Sequence, residues 1–529
     1  MEPKNFIRAR ITADVASGRT PKVVLRFPPE PNGYLHLGHV KSIVLNASLA
    51  EAFDGELNLR FDDTNPRKES SEYVAAIERD ARWLTPRFNR VLWTSDYFEA
   101  IHDCAVHLIS KGLAYVDDSS PEEMKANRGD FGRPGVNSPC RDRSIVANLV
   151  LFERMRRGDF ADGERVLRAR IDMAHANLNL RDPALYRISH TEHHNTGKRW
   201  CIFPMYDFAH PLADALEGVT HSLCTLEFED HRPLYDWVID NCHAKLGARP
   251  VQIEFARLDV EGVVLSKRKL NALVTEGLVD GWDSPVLPTV AGLRTRGFTA
   301  EMLREFVTRC GFARANNTVA LSVLEECVCD VLGPTVERRL AVTDPVELVL
   351  TNLAESLAVT VPNHPKDASR GHRNLTLTST VWVEREDVRA TAETDFWRLA
   401  PGNWVRLKHG LNVLVNEVET DDAGNVTRVH AHAELASVDM KAASHKARAV
   451  IHWLSDGDSA EATLVRYGTL FDSEGGFNEA ALRETRVRVE RGLAPSAHYE
   501  FERVGYFWAD ETGKLHHLAK LKGPKPRSA

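Results

Sequence analysis

Arg26-Phe-Pro-Pro-Glu-Pro-Asn-Gly-Tyr-Leu-His-Leu-Gly-His39 is the stretch on which the reading of this chain turns. Just before and into it, Val23-Val24-Leu25-Arg26-Phe27 is short, apolar and β-branched, which predicts a strand. The prolines at 28, 29 and 31 forbid further pairing and stiffen a loop, and Asn32-Gly33 is a turn dipeptide. From Leu37 the spacing of Val40, Ile43, Val44 and Ala47 is helical, and Asp54-Gly55 stops it. The order is strand, tight loop, helix, with two histidines at the helix start. Free N–H groups and the positive end of the dipole suit a phosphate there. His36 and His39 add donors, and Gly38 leaves room for a flat ring against the backbone.

Working outward, a chain of 529 residues holds several domains, and 43% hydrophobic with 27% charged residues is a globular composition. No apolar run approaches about 18 residues, which predicts no membrane span. Met1-Glu-Pro-Lys-Asn-Phe6 lacks the charged-then-apolar pattern of a secretory leader. Eight cysteines without a C-x-x-C pair argue against structural zinc and a disulfide framework, and they fit a reducing cytoplasm. A net charge of −8 does not advertise nucleic-acid binding, which would require basic residues segregated onto one face.

Glu56–Phe61 alternates as a strand and ends in Asp62-Asp63-Thr64-Asn65-Pro66. Those carboxylates either point into the ligand crevice of an α/β sheet or form an Asx turn before the next helix. Helices are predicted over 70–84 and, capped by Ser95, over 96–111, with a strand at Val91-Leu92-Trp93 between them. Arg128–Gly135 is a Gly/Pro-rich loop carrying Phe131 among basic residues. Phe131 either stacks on a nucleic-acid end or packs back on its own domain. A helix over 144–157 and strands over 165–173 and 177–181 complete an inserted α+β module. The runs 220–228 and 252–258, with a helix over 231–246 between them, return to the first sheet. Leu265-Ser-Lys-Arg-Lys269 is either a phosphate clamp or a solvated basic turn before a helix. Helices follow to 333. From 336 many short alternating strands predict one or two β-barrels, and 520–529 reads as a disordered tail.

Individually weak, these motifs in this order resemble the class I aminoacyl-tRNA synthetases, with their HIGH-like and KMSKS-like signatures. Arg26–His39, Arg60–Pro66, Met205–Phe208, Asp214–His221 and Leu265–Lys269 look like the glutaminyl-tRNA synthetase branch, over nearly the full chain. The resemblance implies a Rossmann-like catalytic domain with an α+β insertion, a helical subdomain and two C-terminal β-barrels. Its boundaries fall at 1–97 and 206–258 for the catalytic halves, 98–205 for an acceptor-stem-binding insertion, 259–335 for the lysine loop and helices, and 336–529 for the barrels. The competing branch, glutamyl-tRNA synthetase of the archaeal and eukaryotic type, typically carries arginine and an aliphatic residue where this chain has Cys224 and Gln252. An arginine suits a γ-carboxylate, whereas an amide needs neutral partners. A dual-specificity enzyme, another H-x-G-H nucleotidyltransferase and a catalytically dead RNA-binding paralogue are the other readings.

The resemblance also implies a site. ATP, accompanied by Mg²⁺ and with no protein-bound metal, would lie against Glu30, Pro31, Asn32, Leu37, Gly38, Val40, Lys41, Ser42, Thr225, Arg257, Leu258, Leu265 and Ser266. His36, His39 and Lys267 would neutralise and position its phosphates. Arg26, Asp62, Tyr206, Cys224 and Gln252 would hold L-glutamine, with Asp62 on the α-ammonium. Phe131 and Asp230 would meet the acceptor stem of tRNA(Gln), and Arg338, Arg398 and Arg503 its anticodon. Trp397 stands where lysine is usual and Glu500 where glutamine is usual. Activation of glutamine is expected to depend on bound tRNA, and the protein to be a cytoplasmic monomer.

Overall fold

The structure is a computed structural model that describes residues 5–67 and 69–522. The leader reading at residues 1–4 and the tail reading from 523 onward lie outside the described residues. Among the described residues, no helix is long and apolar enough to cross a membrane.

Val24–Phe27, Glu56–Phe61 and Arg90–Trp93 pair in parallel, with Glu56–Phe61 in the middle. His221–Thr225 and Val251–Phe255 form a second parallel pair. This pair lies beside Val24, where Thr220 N–H donates to the Val24 carbonyl at 2.9 Å and the Val24 N–H to Thr220 Oγ1 at 3.1 Å. The strands alternate apolar with polar residues, yet both sets are buried: Arg26, Asn58, Arg60 and Ser222 are as enclosed as the leucines between them, as strands covered on both faces require. Helix Leu37–Ala52 buries Val40, Ile43, Val44 and Leu49 against Leu25, Leu57 and Leu59. Loops leaving Phe27, Phe61 and Thr225 therefore gather at the carboxyl ends of the strands, where open α/β sheets bind ligands.

An antiparallel sheet of Ala114–Asp117, Val166–Ala169, Ala184–Ile188 and Ile202–Pro204 carries the second core. Two expectations fail here. Residues 177–181 form a single 3₁₀ turn over Leu178–Leu180, because Asn177 caps it through the Asn179 N–H. Ala184–Ile188 is the strand instead. Ser95 does not cap a helix either. It sits inside a 3₁₀ turn, and its N–H and hydroxyl both donate to Asp63, at 2.8 and 2.6 Å.

Helices Lys267–Thr275, Val290–Arg296, Ala300–Cys310 and Leu321–Leu332 join the catalytic sheet to the C-terminal region. That region holds two seven-stranded barrel-like sheets. One runs from Pro345 to Ser455, and strand Pro345–Leu350 shows the burial alternation that half-buried strands need. The other takes strands from both flanks, Glu337–Val342 and Ser459–Ala519. All eight cysteines are free thiols.

Candidate active site

The histidine loop is fixed from behind. Leu37 N–H donates to the Pro288 carbonyl at 3.0 Å, Val290 N–H to that of Leu35 at 2.8 Å, and Tyr34 stacks on Trp282 at 5.4 Å. His36 is the N-cap. Its Nδ1 accepts from the Gly38 N–H at 3.1 Å, while His39 Nδ1 accepts from the His36 N–H at 3.0 Å. A Cβ at Gly38 would come within 2.9 Å of the His36 ring, so the room that glycine leaves is taken by the cap itself.

This geometry corrects the expectation of free backbone donors. The N–H groups of Leu37, Gly38 and His39 are already bonded. What remains are the side chains. Since both Nδ1 atoms accept from backbone, both rings carry their proton on Nε2 and present that N–H as a donor. Burial, reinforced by the Lys267 ammonium, pushes His36 down to about 3. Burial, His36 and Lys267 hold His39 well below the ordinary histidine value. The histidines are thus neutral hydrogen-bond donors and share no charge neutralisation with Lys267.

Lys267 opens its helix and donates to Asn32 Oδ1 at 2.7 Å, bridging the two signature loops across 235 residues. Burial lowers its pKa, and Glu30 opposes that shift. Arg268 and Lys269 are exposed. The run is therefore half buried clamp and half solvated face. Leu265 lies against the same loop, 3.6 Å from where a Gly38 Cβ would stand.

Asp62 is buried at the end of its strand. Its N–H donates to the Pro29 carbonyl at 3.0 Å, and its carboxylate accepts from the Thr94 hydroxyl at 3.3 Å. Burial pushes Asp62 up to about 6, although Arg60 pulls it down. Tyr206, Gln252, His210, Phe228 and Tyr235 line one small cavity. Tyr206 stacks on His210 at 5.0 Å, and His210 lies 3.9 Å from Cys224. Burial keeps the Cys224 thiol and the Tyr206 phenol protonated. Gln252 donates to Glu254 at 3.0 Å and to the Phe228 carbonyl at 3.3 Å.

Arg26 has a fully buried side chain and reaches the cavity wall at His210, 3.0 Å from its Nη2. It donates to Asp214 through Nε at 3.0 Å and Nη2 at 3.3 Å, to the Leu223 carbonyl and to Ser222, and it approaches Cys224 at 3.8 Å. Arg60 shares Asp214 at 2.7 Å and meets Glu217 at 3.3 Å. Asp214 and His210 were not singled out from sequence, although Asp214 opens a quoted motif.

Of the other residues expected at ATP, Val40 and Leu37 are core side chains, and Leu258 is buried. Pro31 is buried too, and Ser42 half-buried. Lys41 is buried, with its Nζ 3.5 Å from the Arg257 carbonyl. Thr225 donates to Glu227, and Arg257 pairs with Asp259 at 2.9 Å. Asp63, His193 and His194 come together as a possible metal-ligating group. However, His193 Nε2 donates to the Asp63 carbonyl at 2.7 Å while Nδ1 accepts from Asn195 and Thr196 N–H, so its lone pair is already engaged.

Phe131 stands 90% exposed on the turn between Asp130 and Arg133, which excludes packing on its own domain. Asp230 is exposed, and its carbonyl accepts from Asn177 and Asn179. In the barrel-like sheets, buried Asp387 holds both Arg398 at 2.6 Å and Arg503 at 2.6 and 2.7 Å, so one carboxylate aligns two arginines. Arg338 pairs with Glu500. Trp397, 44% exposed, lies under the Arg448 guanidinium at 4.1 Å.

The structure thus brings together two imidazole donors and a half-buried lysine at a helix start, a small polar cavity lined by Tyr206, His210 and Gln252, and arginines aligned on Asp387 in the barrel-like region. The chain belongs to the class I tRNA synthetases of the E and Q kind: residues 22–333 match the catalytic domain of that family, and residues 336–434 and 450–510 match its two anti-codon binding domains. It is 46% identical over 528 residues to the glutamine–tRNA ligase of Vibrio cholerae serotype O1, covering 96% of this chain and 94% of the relative. The glutamine–tRNA ligase of Yersinia pseudotuberculosis is 47% identical over 523 residues, again covering 96% of this chain and 94% of the relative. Among solved structures, a glutamate tRNA ligase from Elizabethkingia meningosepticum aligns with a TM-score of 0.44 at 17% identity, over 59% of this chain and 70% of that one.

Proposed function

We propose that this chain ligates L-glutamine to tRNA(Gln) through a glutaminyl-adenylate, releasing AMP and diphosphate. The observation that carries the choice of glutamine is the state of Arg26. Its charge is matched by Asp214, and the groups near it, Cys224, Tyr206, His210 and Gln252, are neutral. A γ-carboxylate would enter without an available cation, whereas an amide meets neutral donors and acceptors. The glutamyl reading has no comparable support.

In this proposal the glutamine carboxylate attacks the α-phosphorus of ATP, and the bond to diphosphate breaks. The Nε2–H groups of His36 and His39 hold phosphate oxygens, and Lys267 supplies the positive charge. No protein nucleophile is involved, so the rate comes from positioning and preorganised charge. A ribose hydroxyl of the terminal adenosine then attacks the acyl carbon and AMP leaves. Mg²⁺ enters on the triphosphate as part of the substrate. Phe131 and Asp230 meet the acceptor stem, and Arg338, Arg398, Arg503 and Trp397 the anticodon. A monomer in the cytoplasm belongs to the same reading.

The deciding experiment charges transcribed tRNA-Gln and tRNA-Glu with labelled glutamine and glutamate. Glutamine transfer to tRNA-Gln is the expected result. A preference for glutamate overturns the reading, and transfer of neither leaves an RNA-binding protein.

Asp62 gives a pH signature. Its carboxylate must be ionised to hold the α-ammonium, and in the free enzyme it titrates near 6. Below that value kcat/KM for glutamine is expected to fall roughly tenfold per pH unit, the limit for one essential base. KM for ATP should not follow. Because Asp63 and Glu69, pushed by burial to about 7 and about 9, neighbour it, the apparent value belongs to the cluster. A flat profile between about pH 5 and 8 removes Asp62 from the ammonium site.

A further inference from the structure

A second concavity lies apart from the catalytic groups, where the helical segment meets the sheet formed by 337–342 and 459–519. It encloses about 640 Å³, within the range of small-molecule sites. Leu37, Val263, Leu293, Phe298, Leu470 and Val504 make its apolar walls. Arg296 lines it with an unusual balance of partners. Nε donates to the His517 carbonyl at 3.1 Å, and the guanidinium lies 4.1 Å over Tyr467 and 5.4 Å from Phe298. Its terminal nitrogens make no hydrogen bond, and it has no carboxylate in ion-pair range, among the described residues.

Tyr467 is not the counter-ion, because its hydroxyl is paired with His516 Nδ1 at 2.6 Å. Arg466 and Lys520 stand exposed at the rim, together with Glu261 (exposed) and Glu325 (half-buried). Burial lowers Arg296 to about 10, so it remains charged at neutral pH. Burial, then Arg296, Arg466 and Lys520, lower His517 to about 4, so the histidine facing the cavity is neutral and the net field there is positive.

We propose that this cavity binds a small planar monoanion with an apolar body, an aryl carboxylate in chemical class, whose charge pairs with Arg296. Arg296 is half-buried with no counter-ion in range among the described residues, and an entering carboxylate forms a bidentate pair with its open terminal nitrogens. One inner cation asks for one negative charge, and the apolar walls exclude a strongly hydrated polyphosphate. The guanidinium itself lies over Tyr467 and beside Phe298, so the ligand's flat body would rest against the apolar walls while its carboxylate meets the free terminal nitrogens. The site also touches the reaction. Gly262 and Val263 in its wall lead into Leu265-Ser266-Lys267, and Leu37 opens the helix that bears His39. Occupancy therefore restrains the lysine loop from behind.

The test uses the full chain and calorimetric titration with 2-naphthoate against its uncharged twin 2-naphthamide. Naphthoate should bind, with naphthamide roughly tenfold weaker for loss of the charged pair. Arg296→Met should abolish that preference, and Leu470→Trp should block both ligands by filling the cavity. Bound naphthoate should slow tryptic cleavage at the exposed Arg268 and Lys269. Absence of binding, equal affinity for the two ligands, indifference to both substitutions, or displacement by ATP overturns the site. An unchanged cleavage rate with naphthoate bound overturns its coupling to the lysine loop. None of these readouts depends on aminoacylation, so they stand apart from the charging experiment.

Discussion

Replacing Lys267 by methionine is expected to lower the rate of adenylate formation by about 10²–10³, the magnitude found when one preorganised electrostatic group is removed. Glutamine and ATP binding should change far less. Lys267 is the cation that faces the two imidazoles, and those imidazoles are neutral: burial and Lys267 itself hold His36 at about 3. No protonated histidine can take over the charge. Methionine keeps the stem, so the helix that begins at Lys267 and buries Leu270 and Leu273 should remain folded. The hydrogen bond lost is the one to Asn32 Oδ1 at 2.7 Å. Single-turnover measurement of diphosphate release separates this from product release, because a loss confined to the chemical step lowers kcat and kcat/KM together. A fall of less than about tenfold would mean that the charge comes from elsewhere. His39→Asn, which removes a neutral donor rather than a charge, should cost less than Lys267→Met.

Groups that act through local chain geometry were legible in the sequence. The strand that ends at Phe27, the proline-stiffened loop and the helix at Leu37 all follow from residues within one turn or one pleat of each other. The same holds for Pro345–Leu350, whose alternating burial simply restates its alternating letters. Even Phe131 was visible as an aromatic in a glycine- and proline-rich loop, although only its exposure settled which way it points. The sequence failed where a side chain usurps a backbone role. His36 caps its helix through a ring nitrogen, a capping group outside the usual serine, threonine, aspartate and asparagine, so the backbone donors expected to be free were not. Ser95 looked like a cap, but a residue 32 positions away claims it. The alignment of Arg398 and Arg503 on Asp387 spans 116 residues on the longer side, and Arg26 meets Asp214 across 188. No periodicity encodes pairs of that kind. The Asp214 motif was recognisable as a string, but its purpose is three-dimensional.

Asp214→Asn is expected to cost about 3–5 kcal/mol of stability in the catalytic domain, the usual effect of breaking a buried charge network from one side. Asp214 serves two cations at once: Oδ1 accepts from Arg26 Nε at 3.0 Å and Arg60 Nη1 at 2.7 Å, and Oδ2 from Arg26 Nη2 at 3.3 Å and the Tyr235 hydroxyl at 3.0 Å. All three charged side chains are fully buried. Asparagine keeps the shape but removes the charge, and it turns one acceptor into a donor facing donors. Arg60 retains Glu217 at 3.3 Å, whereas Arg26 is left with no carboxylate. The sign with pH can be worked out. Burial alone would raise Asp214, but Arg26, His210 and Arg60 outweigh it and hold the carboxyl far below the ordinary range. A depressed folded value stabilises above the unfolded value of about 3.9, and that gain is lost only as the pH falls through the folded value. The difference between wild type and Asp214→Asn should therefore be constant from about pH 5 to 8 and shrink only in stronger acid. Denaturant titration of the transition that includes the catalytic domain measures it, and a loss under about 1 kcal/mol would show that the network is not the counter-charge described. The same substitution reaches function, because an Arg26 freed from Asp214 lies 3.8 Å from Cys224 with its charge unmatched. That gives the pocket an unmatched cation for a γ-carboxylate. Residual Asp214→Asn enzyme should accordingly lose part of its preference for glutamine over glutamate, and an unchanged ratio of the two kcat/KM values would place discrimination in Gln252 and Tyr206 instead.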